Sequence, residues 1–189
     1  MSLSAIPNIL TVGRILAVPL IVLLFYLPQP WAKTASAIVF IVAALTDTLD
    51  GYLARRFDLS TPLGEFLDPV ADKLIVATAL VLLVGYDTRW WVVLTAAVII
   101  GREITVSALR EWMAQVGARA KVAVSGWGKL KTIMQMTGLS MMMFRRDVWG
   151  LPAYEIGVVL LVIAAALTLW SMWDYLQAAW PELRRKPAA

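Results

Sequence analysis

The stretch TDTLDGYLARRFDLSTPLGEFLDPVADK, residues 46–73, places four aspartates between two long apolar segments. Asp47 and Asp50 are three residues apart, a spacing that puts both on one face of a helix. Asp68 and Asp72 are four residues apart and share a face of the following helix in the same way. Because the two helices would meet at one membrane surface, they can pool four carboxylates around one point. Four carboxylates at an apolar boundary remain ionised together only when a cation lies between them.

The rest of the chain has the composition of a membrane protein. Of its 189 residues, 60% are apolar, and the mean hydropathy is +0.74. A soluble domain is only about 45–50% apolar, and about 20 apolar residues cross a bilayer as a helix. Six apolar segments run approximately over residues 11–27, 34–54, 62–84, 90–113, 128–144 and 154–177. The sequence therefore predicts an all-α integral membrane protein with six transmembrane helices, in which residues 1–189 form a single domain.

The basic residues predict the orientation of these helices. With a cytoplasmic N-terminus, one side of the membrane holds Arg14, Arg55, Arg56, Lys73, Arg102, Arg110, Arg119, Lys121, Lys129, Lys131, Arg184, Arg185 and Lys186. The other side holds only Lys33, Arg89, Arg145 and Arg146. Because lysine and arginine accumulate in cytoplasmic segments, both termini and the four aspartates are predicted on the cytoplasmic side.

The residue types around the aspartates indicate which metal ions and which substrates the site can bind. The sequence contains neither histidine nor cysteine, the usual zinc ligands, so an oxygen-only cluster here suits Mg²⁺, Mn²⁺ or Ca²⁺. Gly51 and Ala54 carry almost no side chain and let a ligand lie against the helix backbone. Arg55 supplies a fork of donors suited to phosphate. Together these features predict a phosphate-bearing substrate whose charge is neutralised by divalent ions.

The start of the third helix is predicted at Thr61 and Pro62. Thr61 has the hydroxyl of an N-cap, and Pro62 suits the first helical position. Pro69 leaves two alternatives open, a later start of the helix or a kink within it.

Two classes of protein fit an acidic cluster in a membrane chain. In an enzyme, a carboxylate that is not fully engaged with metal can take the proton from an attacking hydroxyl. In a divalent-cation transporter, membrane carboxylates mark the ion path, but they lie near the middle of the bilayer in broken helices. Since the four aspartates are predicted at one interface, the enzyme is the favoured interpretation.

Residues 47–72 also carry the pattern D-x2-D-G-x2-A-R-x8-G-x3-D-x3-D. This pattern resembles in full the signature of the CDP-alcohol phosphotransferases, membrane enzymes that join a CDP-activated group to an alcohol and release CMP. The resemblance implies a six-helix bundle, usually a homodimer, around a polar cavity that opens to the cytoplasm. It also implies a cofactor of one or two divalent ions, Mg²⁺ or Mn²⁺.

By position, the resemblance implies a role for each candidate residue. Asp47, Asp50 and Asp68 match metal ligands, and Asp72 matches the general base that also touches metal. The positions that match contacts to CDP-diacylglycerol are Asn8, Ile9, Leu10, Thr11, Gly51, Arg55 and Thr61, to which the small side chain of Ala54 is added. Those that match contacts to glycerol phosphate are Arg102, Arg110 and Lys129.

Further segments of the chain resemble one group of enzymes within this family. IPNILTVGRILAVPL (6–20), LDPVADK (67–73), IIGREITVSALREWMAQVG (99–117) and VAVSGWGKLKT (122–132) are similar to the bacterial phosphatidylglycerophosphate synthases. The resemblance implies CDP-diacylglycerol as donor, sn-glycerol 3-phosphate as acceptor and the bacterial cytoplasmic (inner) membrane as location. Inositol phosphate, serine and phosphatidylglycerol remain alternative acceptors.

Arg102 is predicted unusually deep, about eight residues or ~12 Å from the cytoplasmic end of its helix. A charge at that depth needs a cavity or a partner. Glu103 is predicted to be a poor partner, because adjacent helical residues point about 100° apart. Lys121 and Lys131, in contrast, are expected to extend along their helices to the membrane surface.

Overall fold

The computed structural model of the protein describes residues 5–57, 61–117, 126–148 and 150–184; side chains are described for 8–46, 61–64, 66–117, 130–148 and 150–184. Within these residues every regular element is a helix: α1 (Ala5–Tyr26), α2 (Pro30–Phe57), α3 (Pro62–Tyr86), α4 (Trp90–Gln115), α5 (Gly126–Phe144) and α6 (Ala153–Leu183). The all-helical prediction is therefore confirmed for the described part of the chain.

Each predicted apolar segment corresponds to one helix, but the helices are longer than the segments. The largest differences are at α2, which has 28 residues, and at α6, which continues to Leu183 instead of ending near residue 177. Proline and polar residues near the helix ends interrupt the apolar run, so the predicted segments stop short of the helices. Among the residues whose side chains are described, three stretches are long and apolar enough to cross a membrane: Asn8–Tyr26, Trp90–Gln115 and Ala153–Leu183.

The start of α3 is as predicted. Thr61 is the N-cap, with its side chain accepting a hydrogen bond from the Gly64 N–H at 3.1 Å, and Pro62 begins the helix. Pro69 lies inside the helix, which is continuous from Pro62 to Tyr86, so the alternative of a later start is wrong. Asp68 and Asp72 therefore belong to one helix and share its face.

The core lies between the helices, where α1 packs on α2 and α3, and α5 packs on α2 and α6. Its fully buried side chains include Phe40 of α2, Leu80 of α3, Ile99 of α4 and Leu139 of α5. A smaller cluster between α4 and α6 contains Val106, Met113, Tyr175 and Ala179. This second cluster fixes the C-terminal half of α4 against α6, where the predicted acceptor residues Arg102 and Arg110 lie.

Helices α5 and α6 cross at two glycines that touch backbone to backbone. A Cβ added at Gly157 would lie 2.8 Å from the carbonyl oxygen of Gly138 and 2.8 Å from Met142 Cγ. A Cβ added at Gly138 would lie 2.9 Å from the Gly157 carbonyl oxygen. Small residues at such crossings let membrane helices approach closely. The crossing therefore sets which face of α5 is turned into the bundle.

We expect Gly157→Ala to destabilise the protein by about 1–3 kcal/mol, because the added methyl overpacks a backbone contact that cannot yield. The measurement is the midpoint of thermal unfolding in detergent. Gly101→Ala is the matched control, since nothing lies within 4 Å of a Cβ at that helical position. Equal unfolding midpoints for the two variants would contradict the close crossing.

An ionic cluster joins α3, α4 and α6 at the end of the bundle opposite Asp68 and Asp72. Arg89 pairs with Asp87 at 2.6 Å and with Glu155 at 3.0 Å, and Tyr154 donates its hydroxyl to Asp87 at 2.9 Å. The hydrogen bonds from Arg89 hold the pKa of Asp87 below its usual value. The contact is therefore present at neutral pH and is lost only as the pH falls through that lowered pKa.

Candidate active site

Asp68 is anchored by α1. Thr11 donates its hydroxyl to Asp68 Oδ1 at 2.5 Å, and Arg14 Nη2 lies 3.5 Å from the same oxygen. Thr11 and Arg14 are both buried, at 1% and 2% exposure, whereas 41% of the Asp68 side chain is exposed. One side of this carboxylate is thus fixed by the protein while the residue remains open to a ligand.

From the sequence, Arg14 is one of the basic residues that predict the orientation of the helices. The structure places it inside the bundle beside a predicted metal ligand, with its Nη2 at 3.5 Å from Asp68 Oδ1. The signal in the sequence was the spacing of Thr11 and Arg14, which are three residues apart and so share one face of α1.

The N-terminal end of α1 meets the start of α3 through a short chain of hydrogen bonds. Thr61 donates its hydroxyl to Asn8 Oδ1 at 2.7 Å and accepts from the Gly64 N–H. A Cβ on Gly64 would lie 3.0 Å from Asn8 Oδ1, so only a very small residue fits between the helices here. The structure thus brings together Asn8, Thr11 and Thr61, three of the predicted donor-binding residues.

The remaining predicted donor-binding residues are of two kinds. Ile9 and Leu10 have described side chains, and the others do not. Ile9 is exposed and Leu10 is half-buried. The predictions that fall on side chains outside the described set concern Asp47, Asp50, Gly51, Ala54, Arg55 and Lys129. Among the residues that are described, no group of three or more acidic side chains is close enough to hold a metal ion.

Asp72 lines a cavity of about 220 Å³ between α3, α4 and α5. The cavity also receives Glu103 from α4, and Lys131 and Gln135 from α5. Asp72 is exposed. A carboxylate predicted to act as a base therefore shares one cavity with an ammonium group, a second carboxylate and an amide.

Glu103 bonds to two buried cationic side chains. Its Oε1 accepts one hydrogen bond from Arg102 Nη1 and another from Lys131 Nζ, each at 3.0 Å. Arg102 Nη2 also donates to Ser171 Oγ of α6 at 2.9 Å. The exposed fractions of the Arg102 and Lys131 side chains are 9% and 6%. The cluster links α4 to both α5 and α6.

Two sequence interpretations are wrong here. Glu103 is a partner of Arg102, because the 100° between adjacent residues describes their Cβ directions, and both side chains are long enough to converge beyond them. Lys131 does not extend to the membrane surface but pairs with Glu103 inside the bundle. The turn of α5 that buries Lys131 follows from its crossing with α6, which spacing in the sequence alone does not give.

Arg102 and Arg110 both lie against Tyr175 of α6. Arg110 Nη2 is 2.6 Å from the Tyr175 hydroxyl, and its Cζ is 5.1 Å from the centre of the ring. Arg102 Cζ lies 5.8 Å from the centre of that ring. Sequence reasoning missed Ser171 and Tyr175, which are four residues apart on one face of α6 and position the two arginines.

Comparison with known proteins identifies the family of the chain. The family described as CDP-alcohol phosphatidyltransferase matches residues 4–170. The chain is 52% identical over 178 residues to the "CDP-diacylglycerol--glycerol-3-phosphate 3-phosphatidyltransferase" of Escherichia coli (strain K12), covering 94% of this chain and 96% of that protein. It is 51% identical, with the same coverage, to the protein of that name from Shigella flexneri serotype 5b (strain 8401). The chain belongs to the CDP-alcohol phosphatidyltransferase family.

Proposed function

We infer that this protein transfers the phosphatidyl group of CDP-diacylglycerol to sn-glycerol 3-phosphate, giving phosphatidylglycerol phosphate and CMP. The observation that carries the inference is the 51–52% identity, over 94% of the chain, to proteins named for this reaction. The complete family signature in residues 47–72 supports it, as does the described geometry around Asp68 and Asp72. The protein is a transferase of phospholipid synthesis.

The described carboxylates fit a divalent metal. Asp68 and Asp72 lie on one face of α3, both have solvent-exposed side chains, and hard oxygen donors suit Mg²⁺ and Mn²⁺. We propose that Asp47, Asp50, Asp68 and Asp72 hold one or two such ions. When bound, the ions neutralise the diphosphate oxygens of the donor. Thr11 and Arg14 hold one side of the Asp68 carboxylate in place.

The donor would lie over the contact between α1 and α3. Asn8 and Thr61 bond to each other there, next to Thr11, and Gly64 lets α1 and α3 approach closely. The adjacent Asp68, a proposed metal ligand, supports a diphosphate at this position. We propose that Gly51, Ala54 and Arg55 of α2, with Ile9 and Leu10, complete the donor site.

In the reaction, Asp72 takes the proton from the primary hydroxyl of glycerol 3-phosphate. The hydroxyl oxygen forms a bond to the phosphorus that carries the diacylglycerol, and the bond from that phosphorus to the oxygen of CMP breaks. The electron pair of that bond leaves with CMP. Asp72 is suited to this step because it lines a cavity of about 220 Å³, where the attacking hydroxyl can reach its carboxylate.

We propose that Arg102, Arg110 and Lys129 bind the phosphate of the acceptor. Arg110→Ala is expected to lower kcat/KM for glycerol 3-phosphate by about 10- to 150-fold, because it removes a charge-assisted hydrogen bond of roughly 1.5–3 kcal/mol. The KM for CDP-diacylglycerol is expected to change much less. Steady-state kinetics in which each substrate is varied in turn make the measurement.

Arg184→Ala is the matched control for Arg110→Ala, because Arg184 is exposed at the end of α6 and stacks on Trp180. Lys131→Ala is unsuitable as a control, since Lys131 is buried against Glu103. If Arg110→Ala raises the donor KM and leaves the acceptor KM unchanged, the arginine serves the donor instead.

The membrane arrangement is proposed on the same basis. We propose that all six helices cross the bacterial cytoplasmic membrane and surround a polar cavity that opens to the cytoplasm, with both termini on that side. The chain would form a single domain over residues 1–189 and act as a homodimer. The excess of lysine and arginine on the side of Asp68 and Asp72 supports this orientation.

The test uses the full-length protein in vesicles that contain CDP-diacylglycerol. Addition of glycerol 3-phosphate and Mg²⁺ is expected to release CMP and to form phosphatidylglycerol phosphate in equal amounts. Both products are measured by mass spectrometry. Uptake of Mn²⁺ into the vesicles without CMP release would identify a cation transporter and overturn the proposal.

A further inference from the structure

The cavity between α3, α4 and α5 is lined by a buried polar side chain, Gln135, to which the mechanism above gives no role. The cavity walls are largely apolar, and their polar residues are Asp72, Lys73, Glu103, Lys131, Thr132 and Gln135. Asp72 has a role as the base, and Glu103 and Lys131 bond to each other. Gln135 has no such assignment.

Gln135 is buried, with only 5% of its surface exposed. Its side-chain oxygen is fully enclosed and has no hydrogen-bond partner among the described residues. Buried amide oxygens in folded proteins nearly always accept a hydrogen bond, because an unsatisfied one is costly. Since Gln135 lines the cavity, its unpaired oxygen indicates a donor other than the described residues.

The position of Gln135 indicates what kind of donor this is. Gln135 lies four residues after Lys131, so the two side chains occupy one face of α5. Glu103 holds the Lys131 ammonium from α4, and Asp72 lies across the cavity on α3. A ligand that fits here would carry an anionic group, a hydroxyl that gives up its proton to Asp72, and a further hydroxyl to donate to Gln135.

We propose that Gln135 is a specificity-determining residue, whose side-chain oxygen accepts a hydrogen bond from the secondary hydroxyl of the acceptor. This inference rests on the proposed function, since glycerol 3-phosphate has a primary hydroxyl that reacts and a secondary hydroxyl that does not. The contact selects acceptors with two adjacent hydroxyls. A site built to bond a hydroxyl discriminates against an analogue that lacks it, because the polar group is then left unpaired.

The test compares glycerol 3-phosphate with 3-hydroxypropyl phosphate, which keeps the primary hydroxyl and the phosphate but lacks the secondary hydroxyl. For the wild-type protein, kcat/KM is expected to be at least about tenfold higher for glycerol 3-phosphate. In Gln135→Met, which keeps the size of the side chain and removes its oxygen, the ratio is expected to fall close to one. The fall comes from loss of activity on glycerol 3-phosphate.

Met134→Leu is the matched control on α5, because Met134 is not among the residues that line the cavity. It is expected to keep the wild-type ratio. A Gln135→Met protein with an unchanged ratio would overturn the inference. So would a wild-type protein that uses both acceptors equally well, a measurement that needs no variant to fold.

A different experimental result would show that the proposed function is wrong. If the wild-type protein releases CMP with another acceptor and not with glycerol 3-phosphate, the reaction assigned above is wrong, and the inference about Gln135 falls with it. If glycerol 3-phosphate is the acceptor and only the ratio test fails, the reaction stands and the role of Gln135 does not.

Discussion

Asp72→Asn is expected to lower kcat by about 10²- to 10⁴-fold, the contribution of a positioned general base. Asparagine has nearly the volume of aspartate, so the cavity between α3, α4 and α5 keeps its shape, but the amide cannot accept the proton of the attacking hydroxyl. The measurement is CMP release with both substrates saturating. The unfolding midpoint of the variant is expected to stay close to that of the wild type, since Asp72 is exposed.

Asp147→Asn is the control for this substitution. Asp147 is an exposed acid between α5 and α6, at the end of the bundle away from the cavity. Its replacement makes the same chemical change and is expected to leave kcat within about twofold of the wild type, as surface substitutions usually do. A fall of less than tenfold in Asp72→Asn would exclude this residue as the base.

Removal of divalent metal is expected to have an effect of similar size. After treatment with EDTA and removal of the chelator, we expect turnover to fall at least about 100-fold, because the donor diphosphate loses the ions that neutralise it. Added Mg²⁺ or Mn²⁺ is expected to restore the rate. CMP release is again the measurement, with CDP-diacylglycerol and glycerol 3-phosphate both present.

A sample treated with EDTA already saturated with Mg²⁺ controls for other effects of the chelator, and it is expected to keep full activity. Turnover that persists undiminished in excess EDTA would show that the aspartates do not form a catalytic metal site. The role proposed for Asp47, Asp50 and Asp68 would then have to be abandoned, whatever the outcome for Asp72.

The number and order of the helices could be predicted because apolar segments and turn residues alternate clearly along the chain. The start of α3 could be predicted to the residue, since a threonine before a proline satisfies the first free N–H groups of a helix. The outer turns of α2 and α6 could not. Charged, polar and proline residues interrupt the apolar run there, Lys33 and Arg55 in α2 and Gln177 and Pro181 in α6, although both helices continue through them.

The candidate site was predicted best where its residues are close in sequence. Asp68 and Asp72 follow from a spacing of four residues on one helix. The support that Arg14 gives to Asp68 joins residues 54 positions apart on two helices. A single sequence contains no information on which two helices pack together at that point, so this contact could not be derived.

The orientation of α5 could not be predicted from the sequence alone, although the sequence contains a pattern that indicates its buried face. Lys131 was expected to reach the membrane surface because a lone lysine at the end of an apolar helix usually does. Yet Lys131, Gln135, Gly138 and Met142 recur at intervals of four, three and four residues, which marks a single helical face. All four are buried. Only the crossing of Gly138 with Gly157 identifies that face as the inner one.

The most direct test of the reaction is a panel of acceptors offered to the purified protein with CDP-diacylglycerol and Mg²⁺. The panel contains glycerol 3-phosphate, serine, inositol phosphate and phosphatidylglycerol, and CMP release is measured for each. We predict rapid release with glycerol 3-phosphate and release close to background with the other three. Preferred use of any other acceptor, or no release with any of them, would contradict the transfer of a phosphatidyl group to glycerol 3-phosphate.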